Sequence, residues 1–457
     1  MSTSGANGFL AGMGIPVPDW LAYGPIAIIL CMSMHYYAFS YIMVSGALRS
    51  INSELEEMGE IQGATKTMIL RRITLPLVLP AMLSAVILTF SKAIGTFGTI
   101  NYLGSPAGFR TLSSELYSNS KSLNTQTAFA MAILMICIAA ISVFINQRLI
   151  GTRKSYATVG GKGGRSTLIG LTAWKVPITI LLFIFFIFAI IMPVLILVLE
   201  SCLLKEGLYT LDNLTLHYWI GDSDPMIMEG VPGIFKNANF KTSLFNSLRL
   251  TLVNGVFGTF FGQLLGYICA KGRGKFHGRL VEQLVFIPYL IPSVAFGGIY
   301  LSMFSKPQSI FGVELIPALY GTFALLTLTS VVKHLPFASR AGTSNMLQIS
   351  GELEEAAMIE GAGFFRRLAK IVIPLSKGGF ISGFMLIFVS IMKELDLIIL
   401  IMTPTTSTLP YLAFQYQNGN APQASNCVAI VMFSIVFLVY ALANIFGDAD
   451  LAKSLAG

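Results

Sequence analysis

Four ionisable residues interrupt segments that are otherwise apolar: Lys92 in the first half of the chain, and Lys393, Glu394 and Asp396 in the second. A charge at membrane depth is costly, so such residues face a bundle interior, a partner charge or a polar passage. Lys393 and Asp396 stand three apart, a spacing that lets two side chains meet on one helical face. Either an internal ion pair that packs the bundle or a polar lining of a transport route fits that spacing. A second concentration of charge lies in ELEEAAMIEGAGFFRRLAKIVIPL, Glu352 to Leu375, and is answered by ELEEMGEIQGATKTMILRRITLPL, Glu54 to Leu77. No Ser/His/Asp set, metal-ligand cluster or GxxxxGK[ST] phosphate loop stands out, and GGKGGR at Gly160–Arg165 has the wrong spacing for one. The sequence therefore reads as no enzyme, with no cofactor and no metal.

The elements that must hold these residues are membrane spans. The chain is 54% hydrophobic and 11% charged, with a mean hydropathy of +0.73. Several uncharged stretches reach the ~20 residues a helix needs to cross a bilayer. In lipid each backbone polar group must be satisfied within its own segment, which selects helices, and the strict alternation of barrel strands is missing. The expectation is an all-α polytopic membrane protein embedded in a lipid bilayer. The net charge of +8 sits in short loops, as the positive-inside bias requires, and argues against nucleic acid. The five cysteines show no CxxC spacing and read as small packing residues.

Spans are expected at Trp20–Leu48, Ile73–Leu103 and Ser122–Gln147, and then at Val176–Leu199, Leu250–Ala270, Leu284–Ser305, Leu315–Val332, Gly378–Met402 and Ser425–Phe446. That is about nine transmembrane helices, with Pro288 and Pro292 placed to kink one of them. The basic loops Lys271–Arg279 and Arg148–Lys175 belong on the cytoplasmic side, the latter as a Gly/Ser-rich linker. The loop from Glu200 to Lys241 belongs outside, with Tyr218 and Trp219 as an interfacial anchor. His217 beside them reads as an ordinary loop residue.

The two charged stretches align without a gap at an offset of 298, and from Glu54 to Pro76 they share 10 of 23 residues with Glu352 to Pro374. The echo continues outside them: Tyr23-Gly24 answers Tyr320-Gly321, Phe39 answers Phe337, and Pro106 with Thr111-Leu112 answers Pro404 with Thr408-Leu409. The chain thus carries two versions of one membrane domain in the same orientation. A partial first domain, with about three helices, occupies residues 1–150 with its loop at 50–76. A basic cytoplasmic linker follows at 151–175. A complete second domain, with six helices, occupies 176–457 with its loop at 348–374. The first domain is expected to be N-terminally truncated relative to the second.

Good helix formers run from Glu352 to Glu360, with acids in the first turn and Ser350 or Gly351 available as a cap. Gly361 and Gly363 interrupt them. Phe364, Leu368, Ile371 and Val372 then recur at helical spacing among Arg366, Arg367 and Lys370, and Pro374 opens the next span. The expected product is a helix, a turn and a short amphipathic helix, present twice.

Glu355-Ala356-Ala357, three residues, Gly361, nine residues, then Ile371-x-Ile373-Pro374 resembles the signature loop of the permease subunits of binding-protein-dependent ABC importers. The first copy keeps Glu57, Gly63, Ile73, Leu75 and Pro76 and departs at Met58 and Gly59, where alanines are expected. The chain most closely resembles the fused two-domain group that includes ferric-iron and thiamine permeases. That resemblance implies two helical-bundle permease domains of the type I importer kind in a bacterial inner (plasma) membrane. It implies coupling helices seated on two cytosolic ABC ATPase subunits, with Glu57 and Glu355 touching the ATPase and Gly63 and Gly361 permitting the bend. It also implies an extracellular or periplasmic solute-binding protein as the source of selectivity. Ferric iron is the first expectation for the cargo; thiamine, polyamine, phosphonate and sugar share the mechanism. A secondary transporter working without ATP is the opposing class.

Overall fold

A computed structural model describes residues 8–447 apart from Met13, Pro16, Ser50, Asn52, Leu123, 152–171, Phe311, Gly312 and Ser350. Most of the predicted linker falls outside those residues. The described chain is almost entirely helical. The main elements are α1 (Pro25–Arg49), α2 (Ser53–Ile61), α3 (Leu75–Gly95), α4 (Leu112–Lys121) and α5 (Thr125–Gly151) in the first half. The second half holds α6 (Lys175–Ser201), α7 (Ala238–Lys271), α8 (Phe276–Leu290), α9 (Ser293–Phe304), α10 (Phe323–Gln348), α11 (Gly351–Ile359), α12 (Lys377–Met392), α13 (Leu409–Asn418) and α14 (Pro422–Gly447). One small hairpin pairs Gln308–Ile310 with Val313–Ile316.

Among the described residues, five helices are long and apolar enough to cross a membrane, or eight if each of three bent pairs is one span. The predicted Leu284–Ser305 span is such a pair: α8 and α9 meet at 99°. Pro288 lies in the last turn of α8 and Pro292 caps α9, so two imino nitrogens fall where the ladder would have to continue.

Two further spans end early, at the same point of the repeat. Gly378–Met402 is expected as one helix, but α12 stops at Met392 and the chain turns through Lys393 to Met402. Ile73–Leu103 likewise breaks after α3, and a short helix, Gly98–Gly104, resumes two residues later. Lys393 and Asp396 therefore do not share a helical face. Both stretches are apolar enough to extend a hydropathy window, which cannot see where the backbone turns.

The predicted Leu315–Val332 span is displaced. Leu315 belongs to the hairpin, Gly321 takes φ +80°, and the Thr322 hydroxyl caps α10 by accepting from the Leu325 amide at 3.4 Å. The helix then runs past Val332 through Lys333, His334 and Arg340, because each finds a partner: Lys333 donates to two backbone carbonyls, His334 meets Ser330 and Glu394, and Arg340 lies over the Phe286 ring. Tyr218 is not the interfacial anchor expected of it. Tyr218 is buried and donates to the Leu204 carbonyl at 2.9 Å, and the Trp219 indole donates to Ser201 Oγ at 3.2 Å.

The second bundle is built on α7. Gly258, Gly262 and Gly266 recur at i, i+4, i+8 on this helix. A Cβ on Gly262 would collide with Ala338, and one on Gly266 with the backbone of Gly342, both in α10. Without a hydrophobic drive between helices in lipid, such close approach is what holds them together. The N-terminal part of α7 is tied to the chain after Pro404: Asn246 donates to the carbonyls of Thr405 and Ser407, and the Leu409 amide donates to Ser247. The two halves share a core in which Phe97, Leu116 and Met135 from the first pack with Val294, Ile399 and Phe414 from the second.

Candidate functional site

The two charged loops share one backbone course from the first helix through the π-helical turn. α2 and α11 have the same length at an offset of 298. Gly63 and Gly361 come after them at φ +80° and +78°, a left-handed turn open to glycine and strained for other residues. A short helix then begins at Lys66 in one copy and Phe364 in the other. Each passes into a π-helical turn, Leu70–Thr74 and Leu368–Val372. A π-turn inserts one residue into the α ladder and rotates the next stretch of helix, a device frequent at functional sites. It sits just before Pro76 and Pro374. The second elbow then bends by 72° into α12 at Ser376.

Each elbow is held by one glutamate and offers its neighbours outward. Glu354 is buried, 5% exposed, with one carboxylate oxygen 2.7 Å from Lys271 Nζ and the other accepting from the Tyr267 hydroxyl at 2.7 Å, both partners near the end of α7. Burial opposes its ionisation, but hydrogen bonds from Lys271 and Tyr267 and the charges of Lys271 and Arg367 outweigh it and hold its carboxyl below the usual range. The equivalent Glu56 turns inward instead, accepting from the Thr74 hydroxyl at 2.6 Å. Glu57, Glu355 and Ala356 are exposed, and Ala357 is half-buried. Ile61 and Ile359, repeat equivalents, are 85% and 86% exposed. Met58 also faces solvent. Gly59 departs from alanine for a packing reason: a Cβ there would lie 3.1 Å from Ile73 and 3.2 Å from Ile69. Ile73 and Ile371 are half-buried under their elbows, and Pro76 and Pro374 are exposed.

The four charges read from the apolar segments come together where α3 and α12 end. Asp396 Oδ1 accepts from the Gly98 amide at 3.1 Å. Glu394 accepts from the Leu397 amide at 2.9 Å and faces His334 Nε2 at 3.6 Å. Lys92 Nζ sits among three rings, 4.9 Å from Phe337, 5.4 Å from Phe39 and 5.6 Å from Tyr289. Lys393 is exposed although the preceding Met392 is buried, and Lys92 lies within its electrostatic reach.

His35, Tyr36, Lys333, His334 and Tyr289 join this cluster, and sequence reasoning missed them. The repeat itself carries the signal. His35 and Lys333 are 298 apart, as are Tyr36 and His334, so polar residues recur at matching places in two apolar helices. Their contacts recur too. Tyr36 OH is 2.8 Å from Thr96 Oγ1, and the equivalent pair is His334 and Glu394. At a rise of about 1.5 Å per residue, these groups lie roughly 15 Å along α1 and α10.

The chain has recognisable relatives. A family model described as "binding-protein-dependent transport system inner membrane component" matches residues 8–156 and 262–449. The ferric transport system permease protein FbpB of Actinobacillus pleuropneumoniae is 24% identical over 447 residues, covering 96% of this chain and 61% of that protein. A putative ferric transport system permease protein, FbpB 1 of Haemophilus influenzae, is 24% identical over 413 residues, covering 86% and 59%. The chain thus spans about three-fifths of the length of these relatives. A trehalose transport system permease protein, SugB of Mycobacterium tuberculosis, is 25% identical over 46% of this chain and 74% of that protein. Among solved structures, a bacterial ABC transporter involved in the import of the acidic polysaccharide alginate aligns over 61% of this chain and 98% of that one, with a TM-score of 0.48 and 16% identity.

Proposed function

Because the chain belongs to the family of binding-protein-dependent transport system inner membrane components, we propose that it forms the membrane passage of an ATP-driven importer. Two cytosolic ATPases drive it through α2 and α11. The observation that carries this reading is the paired elbow. Two helices at matching places each end in a left-handed glycine, present an exposed carboxylate and isoleucine, and pass through a π-turn into a membrane-embedded helix. A push on Glu57 and Ile61, or on Glu355 and Ile359, is thereby delivered to the helices that end at the charged crossing. An external solute-binding protein delivers the cargo, and the polar cluster around Lys92, Lys393, Glu394 and Asp396 lines its route. Ferric iron is the cargo this reading favours, because the two ferric relatives align over 96% and 86% of the chain. A sugar is the second reading, supported by the shorter trehalose-permease match.

Capture of the cognate ATPase from membranes by the tagged chain tests the coupling. Glu355→Lys combined with Gly361→Pro should abolish capture and ATP-dependent uptake together. An ATP-independent carrier would show undiminished uptake in that variant and no ATPase in the eluate. Cargo is tested separately, by growth on iron or trehalose as the limiting nutrient after disruption of the gene.

A further inference from the structure

The charged crossing holds three lysines, Lys92, Lys333 and Lys393, against two carboxylates, Glu394 and Asp396, and the carboxylates are already engaged. Glu394 accepts from the Leu397 amide and faces His334. Asp396 accepts from the Gly98 amide across the boundary between the halves. Lys333 is anchored differently, its charge solvated by donating to the carbonyls of Pro288 and Ile291 in the bend between α8 and α9. Two cations remain. Among the described residues no carboxylate lies within ion-pairing distance of Lys92 or Lys393. Lys92 is met by the faces of three rings, which stabilise a cation without cancelling its charge. Lys393 is exposed next to the buried Met392. His35, on the facing helix α1, lies within electrostatic reach of both.

We propose that the crossing accepts its cargo as an anion, held by the Lys92 and Lys393 ammonium groups. This rests on the permease reading and deepens it. Net positive charge in a low-dielectric site concentrates ions of the opposite sign. A bare multivalent cation would meet three lysines against two carboxylates, a net positive site, and both carboxylates already accept from the Leu397 and Gly98 amides. Iron passing here would therefore travel inside an anionic carboxylate complex. A free oxyanion offers the same chemistry, and the experiment separates the two.

The purified full chain in nanodiscs is titrated calorimetrically with ferric citrate, citrate, molybdate and the inert cation hexaamminecobalt(III). The anions should bind and the cobalt complex should not. Ferric citrate binding well above citrate and molybdate identifies a metal complex as the ligand; the reverse order identifies an oxyanion. Lys92→Gln and Lys393→Gln should each weaken anion binding by about tenfold, the scale of one charged hydrogen bond. Lys92→Arg and Lys393→Arg should retain it, and Lys236→Gln, on the exposed Asp222 pair, should leave it unchanged. The proposal is overturned if no anion binds the parent chain, if hexaamminecobalt(III) binds as tightly as citrate, or if the Gln variants melt and bind like the parent. Should the Gln variants not fold, competition between citrate and hexaamminecobalt(III) on the parent and the Arg variants decides. ATPase capture is read on the same preparations: retained capture without anion binding sinks only this inference, whereas loss of capture from the parent sinks the permease reading.

Discussion

The amide of Gly98 donates to Asp396 Oδ1 at 3.1 Å, and the two residues are 298 positions apart, the offset of the internal repeat. One place in the repeat thus touches its own counterpart, so this hydrogen bond marks where the two halves meet. Gly98 begins a short helix whose first amides lack partners within it, and a carboxylate is the natural acceptor there.

Removing that acceptor should loosen the junction. Asp396→Ala leaves the Gly98 amide unpaired and is expected to cost about 2 kcal/mol, the scale of a hydrogen bond to a charged group. Asp396→Asn keeps an oxygen and should cost about half as much. Thermal unfolding in detergent, compared between the two variants, measures the difference. Equal melting temperatures for parent and Asp396→Ala would show that the bond contributes nothing.

The elbow glycines should be more important for coupling than for folding. Among described atoms nothing lies within 4 Å of a Cβ added at Gly63 or Gly361, so an alanine there meets only backbone strain. That strain is about 1–2 kcal/mol for a left-handed residue. It is relieved by reorienting the turn, which displaces α2 or α11. Gly361→Ala should therefore lower ATP-dependent uptake severalfold while the global melting temperature stays near the parent's. Gly363→Ala, two residues on, has no positive φ and open space, and serves as the silent control.

Much of this is legible in the residues. The helix, turn and second helix of each elbow can be read from Glu355, Gly361 and Ile371, because helix formers and glycines act locally. The π-turns at Leu70–Thr74 and Leu368–Val372 cannot, since an inserted residue leaves no mark in composition. Lys92, Lys393, Glu394 and Asp396 stand out as charges in apolar surroundings, and the structure brings them together. Helical spacing does not give their pairing: Lys393 closes α12 and Asp396 lies beyond it. Lys333 and His334 escape notice because they look like the end of a span. Their helix instead carries them to the carbonyls of Pro288 and Ile291 and to Glu394. Such partners are fixed by tertiary contacts and by the broken α8–α9 pair, which periodicity does not report.

The docking of α11 should respond to acid. Glu354 is held below its ordinary value of 4.5 by Lys271, Tyr267 and Arg367. A lowered carboxyl contributes stability that is fully present above the ordinary value and is lost as pH falls through the depressed one. Amide exchange in α11 should accordingly be constant from neutral pH down to about 4.5 and accelerate below it, after correction for intrinsic rates. Glu354→Gln should remove this acid dependence and cost about 1 kcal/mol, a modest figure because the Lys271 side chain is 40% exposed. Acid acceleration that persists in Glu354→Gln would assign it to another group.

Close packing of α7 on α10 predicts a sharp size limit. A side chain at Gly262 collides with Ala338, so Gly262→Val must push the helices apart at a cost of about 1–3 kcal/mol. Gly378→Val, where nothing lies within 4 Å among the described atoms, should cost well under about 1 kcal/mol. Comparing the two melting temperatures checks whether the contact is as tight as the geometry requires.

The ring cage around Lys92 admits a thermodynamic cycle. Phe39 and Phe337 are repeat equivalents, yet both face one lysine for which the repeat supplies no second copy, its counterpart being Ser390. A cation over a ring contributes about 0.5–1 kcal/mol in water and about 2 when desolvated. Phe337, at 4.9 Å, should therefore couple to Lys92 by about 1–2 kcal/mol, and Phe39, at 5.4 Å, somewhat less. The cycle compares Phe337→Leu, Lys92→Met and the double variant by thermal unfolding, leucine keeping the apolar bulk while removing the ring face. Additive losses would mean that the ring merely fills space beside the lysine. A second cycle, built on Phe39→Leu and Lys92→Met, reads the other ring, and non-additivity in both would show that a charge on one half is gripped by aromatic faces from each.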